Sequence, residues 1–215
     1  MPLRQATALL DRPSPVPPVV SIALEPGRVL GLVGSPGLGL TRLGLSMLTE
    51  PSRSGTVAVV DVRGWLSPLA AWEVGVDPDR LVTVRCPDRR VWVQVTAALL
   101  EGLPAVYAEL PRGIRDADLR RLGALVRRRR SVLVLRCMHD RVPSGVFHQR
   151  IDAEAVRWDG VDRGHGRLGA RSLTVRTSGK ANGGIERTTD IEDDGSHAVR
   201  VVSGLAPASA GRPTS

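Results

Sequence analysis

Val29-Leu30-Gly31-Leu32-Val33-Gly34-Ser35-Pro36-Gly37-Leu38-Gly39-Leu40-Thr41 is the stretch on which the fold turns. Its first five residues are apolar on both faces, as a parallel strand covered on both sides must be. A glycine-rich turn follows, and Thr41–Leu48 reads as a helix. A strand that runs through such a turn into a helix is the setting of a phosphate-binding loop. In the working form, GxxxxGK[ST], backbone N–H groups and the helix N-terminus cradle phosphates while the Lys neutralises the β and γ charges. Gly34, Gly39 and Thr41 match, and Gly37 adds a further glycine, but the Lys position holds Leu40. Leucine supplies no cation and would set apolar surface against a polyanion. The reading adopted is a vestigial loop that no longer binds nucleotide productively. A loop that still takes some phosphate group, residual ATP included, stays open, as does a glycine-rich turn with no ligand.

The rhythm continues on both sides of this stretch. Strands are expected at Val57–Asp61, Leu81–Val84, Ala105–Leu110 and Ser131–Leu135. Helices are expected at Arg89–Leu100, with Glu101-Gly102 as its stop, and at Asp116–Arg128, where Leu119, Leu122 and Val126 recur at helical spacing. Alternating strands and helices argue for an α/β domain with a parallel sheet flanked by helices. Beyond Met138 the texture changes. Residues 150–159 and 168–177 read as strands, 178–197 as a mobile loop or wide hairpin, and His197–Val202 as a final strand. The expectation is an antiparallel β extension from about residue 145 on a domain spanning 19–203. Val19–Leu24 reads as a short edge strand. Residues 1–18 form an arm in which Pro13, Pro15, Pro17 and Pro18 forbid a helix, and 204–215 read as a disordered tail.

Composition sets the outer bounds. A chain of 215 residues is one domain plus extensions, at about 150 residues per domain. Its 42% hydrophobic content is enough to build a core, which argues against wholesale disorder. No apolar run is long enough for a transmembrane helix, and the first residues lack the pattern of a secretory signal. Two cysteines are too few for a disulfide scaffold. A reduced cytoplasm is therefore the expected location. The four histidines have no partners at zinc spacing, so no metal site is expected. The net charge is +8, and 29 of the 30 basic residues are arginine. Arginine's planar fork suits phosphate or carboxylate, so the balance permits nucleic-acid binding without proving it.

Several residues each leave two readings. Arg127-Arg128-Arg129-Arg130 complements a helix C-terminus, or contacts DNA phosphate or an acidic partner, with Arg112, Arg115, Arg120 and Arg121 extending the surface. Six aromatics are too few for a platform that stacks single-stranded bases. Trp72 and Trp92 are expected to pack against the sheet, whereas Trp65 is a candidate partner anchor. Asp61, at a strand end, is either a site residue or a cap. His139 lacks a nearby nucleophile. Cys86 and Cys137 read as small packing residues. The stretch with Glu186, Asp190, Glu192, Asp193 and Asp194 reads as a solvated loop or an interaction tail.

From Arg28 to about Arg136 the chain resembles the RecA core. The resemblance rests on the loop, on Val59-Val60-Asp61-Val62-Arg63 followed by Ser67-Pro68, and on Val74-Gly75-Val76-Asp77 with Asp77-Pro78-Asp79-Arg80-Leu81. It implies a water-activating glutamate where this chain has Arg63, and a Walker B aspartate where it has Glu109. Leu40, Arg63 and Glu109 depart together, so no ATP hydrolysis and no cofactor are expected. Glu109 retains the oxygens to accept a magnesium-bound water.

Within that superfamily Val57–Pro68, Gly75-Val76-Asp77, Val84–Arg90 and Tyr107–Pro111 are similar to the ImuA-type accessory proteins of bacterial translesion mutasomes. That resemblance implies a non-catalytic adaptor in damage-induced mutagenesis and the SOS response. Its partners would be a polymerase-fold, ImuB-like protein and, indirectly, the sliding clamp and an error-prone replicative-type polymerase, with DNA a further candidate. The alternatives are a SulA-type cell-division inhibitor and a weakly ATP-dependent recombinase-like protein.

Overall fold

The computed structural model describes residues 25–139, 145–160, 169–180, 183–193 and 200–202. The Pro-rich arm, the expected strand Val19–Leu24 and the expected tail lie outside the described residues. So do His165, His197 and Asp194.

The strands are β1 (Val29–Val33), β2 (Val57–Asp61), β3 (Leu81–Arg85), β4 (Ala105–Glu109), β5 (Val132–Cys137), β6 (Gln149–Asp159), β7 (Ala170–Gly179), β8 (Arg187–Asp193) and β9 (Arg200–Val202). They form one sheet in the order β3-β2-β4-β5-β1-β6-β7-β8-β9. Pairings from β3 through β6 are parallel. Those from β6 to β9 are antiparallel. The chain is thus an α/β domain with a mainly parallel core and an antiparallel C-terminal wing. Among the described residues no helix is long and apolar enough to cross a membrane.

Strand alternation divides the core into two layers. Leu30, Leu32, Val57, Val59, Tyr107 and Val134 face a layer with α1 (Leu40–Ser46) and α3 (Pro68–Trp72). Val29, Ala58, Val60, Val106, Leu133 and Leu135 face the opposite layer with α4 (Arg89–Gly102) and α5 (Asp116–Arg129). Burial on both sides explains why these strands read as unbroken apolar runs. The wing buries Ile151, Leu173, Val175 and Ile191 in the α1 layer. The sheet's first edge is β3, where Val82 and Thr83 are exposed.

Each helix has a local cause. The Asp88 side chain accepts the Arg90 N–H at 2.8 Å and caps α4. Trp92, Thr96 and Leu100 then form its buried stripe. Gly102 was expected as the stop but is the last helical residue. Leu103, extended ahead of Pro104, ends the helix instead. α5 opens with Asp116 and Asp118 and closes with Arg127, Arg128 and Arg129, complementing its dipole at both ends.

Two features depart from the sequence reading. Residues Thr49–Ser54 form a short helix, α2, despite Pro51. β5 runs on to Cys137, so Arg136 belongs to a strand. Of the two readings of residues 178–197, loop or wide hairpin, the hairpin is found: β8 lies against β7, held by the ladder and by the Thr174 hydroxyl donating to Asp190 at 2.7 Å.

Candidate functional site

The glycine-rich turn leaves the carboxyl end of β1 and enters α1 through Gly39, whose φ of 79° is the left-handed conformation glycine tolerates. Leu40 does not face a phosphate cradle. It is fully buried in the α1 layer, its methyl close under Gly34. The expectation that it would set apolar surface against a polyanion is therefore corrected: the leucine serves the core. Thr41 lies beside the buried Tyr107, whose hydroxyl is pushed up in pKa by burial.

Arg136 holds the turn from beneath. It is buried at the end of β5, the strand next to β1. Its guanidinium donates to the carbonyls of Leu32 at 3.3 Å, Gly34 at 2.8 Å, Ser35 at 3.0 Å and Cys137 at 2.7 Å. Burial pulls its pKa below the ordinary guanidinium value. Beside it, burial raises the Cys137 thiol to about 12, so this cysteine is an inert packing group. A second arginine approaches from the wing. The Arg171 guanidinium carbon lies 2.8 Å from where a Cβ on Gly39 would sit. A cation thus reaches the turn from β7 rather than from position 40.

The ends of β2 and β4 meet on the same edge. Glu109 is buried and its Oε2 accepts the backbone N–H groups of Val62 at 3.0 Å and Arg63 at 3.2 Å. Its Oε1 takes the Arg63 guanidinium at 2.8 Å. Arg63 also lies 4.0 Å over the Trp65 ring. Asp61 accepts from the N–H groups of Gly64, Trp65 and Leu66. It caps no helix, since α3 begins at Pro68 with Ser67 as its N-cap and no side-chain cap bond; the carboxylate instead shapes the loop after β2.

Between these strand ends lies a cavity of about 300 Å³, lined among others by Pro36, Val62, Arg63, Glu109 and His139. Arg63 Nε and His139 Nε2 are buried without hydrogen-bond partners. The donor set does not fit the magnesium ion that the RecA resemblance implies. Glu109, the one acid at its position, is already neutralised by Arg63. Among the described residues no group of three His, Cys, Asp or Glu is placed to hold a metal.

The structure brings Gly34, Gly37, Gly39, Thr41 and Glu109 to one sheet edge and puts the arginine run elsewhere. Arg127–Arg130 end α5 beside Gly27, just before β1 begins, at the opposite edge. Arg120 and Arg121 lie exposed along the same helix. Arg128 and Arg129 both reach Glu101 on α4 at 3.8 Å.

Trp92 is buried as expected, but Trp72 is not. Trp65, Leu69 and Trp72 keep 68%, 54% and 42% of their surface exposed and sit on one loop and short helix. The sequence reading missed Arg136. Its only signal was a charge interrupting the apolar run Val132-Leu133-Val134-Leu135 before Cys137.

Fold and site together define an α/β domain of one class. Its glycine-rich turn is clamped by a buried arginine from the adjacent strand, and the acid across the edge is neutralised by another. The family model for the MT3502 N-terminal domain matches residues 18–140, more than half of the chain, and the chain belongs to that family. β6–β9 lie beyond the matched segment. No curated protein matches the chain.

Proposed function

We propose that this protein is a non-catalytic, RecA-like adaptor of a damage-induced translesion synthesis complex, engaging a polymerase-fold partner. The observation that supports it most is the Arg63–Glu109 pair at 2.8 Å. Two positions that a RecA-type ATPase gives to water activation and magnesium are spent here on each other. Arg63 accepts no proton from water, and the Glu109 carboxylate is already paired with Arg63. Leu40 adds a third departure. Chemistry of that kind loses orders of magnitude when either the base or the charge stabilisation is removed.

What remains is surface. Trp65, Leu69 and Trp72 are left exposed on the loop and short helix that follow Arg63. Large aromatics left in water within a few residues of one another are typical anchors of a partner. Arg63 stacked on Trp65 holds one anchor in place.

The experiment is affinity recovery of the tagged protein from its own cells after DNA damage, read by mass spectrometry. A polymerase-fold protein with the sliding clamp supports the reading, and Trp65→Ala should deplete both. Recovery of the division GTPase without a polymerase defeats it in favour of a division inhibitor. ATP turnover that disappears in Glu109→Gln defeats the non-catalytic half.

A further inference from the structure

We propose that the groove between α4 and α5 is a docking site for a short amphipathic helix with acidic flanks, supplied by another protein. The proposal goes beyond the adaptor reading and stands without it. α4 and α5 pack side by side over the sheet, on the layer opposite α1 and α3. On their outer side they leave a groove of about 520 Å³. Val93, Ala97, Leu122 and Leu125 give it an apolar floor. Arg121 and Arg128 stand in its lining, with 81% and 68% of their side chains exposed. Glu101 is the one acid in that lining, and Arg128 and Arg129 lie within 3.8 Å of it. α5 has Asp116 and Asp118 in its first turn, the latter 3.7 Å from Arg121, but Arg120, Arg127 and Arg129 on the helix and Arg130 at its C-cap keep it net positive.

Charge and shape together select the occupant. The apolar floor wants aliphatic side chains, and the cationic rim wants carboxylates beside them. The groove follows Val93–Glu101 on one helix and Arg121–Arg128 on the other. At 1.5 Å per residue that is about 12 Å, room for two to three turns of a helix with apolar residues at i, i+3, i+4 and i+7. Nucleic acid fits less well. Phosphates would use the arginines but leave the aliphatic floor without a partner. A second copy fits worse. A two-fold contact sets one arginine-bearing rim against another, and like charges repel.

The test uses the full chain and a designed peptide of about 14 residues, with leucines at i, i+3, i+4 and i+7 and glutamates flanking that stripe. A control peptide carries lysine in place of each glutamate. Binding is measured by titration calorimetry and mapped by amide shifts in NMR. The acidic peptide should bind at least about tenfold more tightly than the lysine peptide. Its shifts should fall on residues 93–101 and 121–128, and its affinity should drop as salt rises. Arg121→Glu with Arg128→Glu should abolish binding. Ala124→Trp, which fills the groove from an exposed position and leaves the charge alone, should do the same with the thermal midpoint kept.

No binding, equal binding of the two peptides, or shifts on another face overturns the proposal. So does duplex DNA that binds only when Arg121 and Arg128 are present, or a concentration-dependent dimer lost in the same variant. Damage-dependent recovery without a polymerase would sink the adaptor reading and leave this result unchanged.

Discussion

Arg63 and Glu109 are 46 positions apart, yet each is the other's reason for being where it is. Glu109 is buried, and a buried carboxylate needs a counter-charge and donors. It has both, in one guanidinium and two backbone N–H groups. Glu109→Gln should destabilise the fold by about 1–3 kcal/mol, because Arg63 keeps some solvent and the amide puts a donor where an acceptor stood. Urea denaturation measures it, and Arg63→Met combined with Glu109→Gln should recover part of the loss. Arg136 makes a sharper case. One planar fork meets four carbonyls, on β1, the turn and its own strand end. Nη1 meets three of them and Nη2 reaches Ser35, and an ammonium, with one donor centre, cannot occupy both places. Arg136→Lys should therefore cost about 2–4 kcal/mol, with the loss concentrated in amide-exchange protection of residues 34–39. A Lys variant as stable as the parent would remove the clamp.

Elements show which parts of the fold local sequence can announce. β1 begins and ends with its apolar run, and β2 follows its own from Val57 to Val60 before closing on Asp61, because both faces of these strands are buried. α2 and β8 were not legible in the same way. Thr49-Glu50-Pro51-Ser52-Arg53-Ser54 has no apolar period, and its order comes from outside it. The Thr49 hydroxyl donates to the Val74 carbonyl, and Ser52 Oγ accepts the Asp77 N–H. β8 has one buried apolar residue, Ile191, among threonines and acids.

α1 depends on a glycine. A Cβ on Gly44 would meet Tyr107 Cε2 at 2.5 Å and Leu32 Cδ1 at 2.7 Å, so the helix lies against the sheet only with no side chain there. Gly44→Ala should cost about 1–3 kcal/mol by overpacking. Gly102, in the last turn of α4, meets nothing within 4 Å, and Gly102→Ala should stabilise by about 0.5–1 kcal/mol. Thermal midpoints moving in the same direction would refute this contrast. β6 has a titrating start. Burial, then Arg28 and Lys180 against the opposing Glu25, lowers His148 from its usual 6.5. The unfolded chain therefore takes the proton first as pH falls. The stability tied to neutral His148 is present above about 6.5 and is lost below it. Urea midpoints measured across that range should fall less steeply in His148→Gln than in the parent.

Over the whole molecule the sheet has two regimes, and they set where function sits. β1, β2, β4 and β5 have a neighbour on each side and cover on each face. β7 and β8 have neighbours but bury residues in the α1 layer alone. The parallel half was legible as a fold because its pattern is local and repeated. The candidate site was legible only in outline. The sequence marks the glycines, Leu40 and Glu109, but not that Arg63 would close on Glu109 or that Arg136 would reach back about a hundred positions to the turn. Such contacts depend on which strands become neighbours, and the order β4-β5-β1 is not written in any one segment.

The two regimes predict a gradient in local stability. Opening a central strand exposes two layers of core, whereas opening β8 exposes little beyond Ile191. In hydrogen exchange read by mass spectrometry, peptides covering Ala105–Glu109 and Val132–Cys137 should exchange slowest, near the global unfolding rate. Those covering Arg187–Asp193 should exchange fastest among the long strands. β3, with one neighbour and exposed side chains, should fall between. Equal protection from β4 to β8 would mean that the wing and the core open as one unit. Arg171, which leads from the wing to the turn at Gly39, would then be part of the same cooperative block as Arg136.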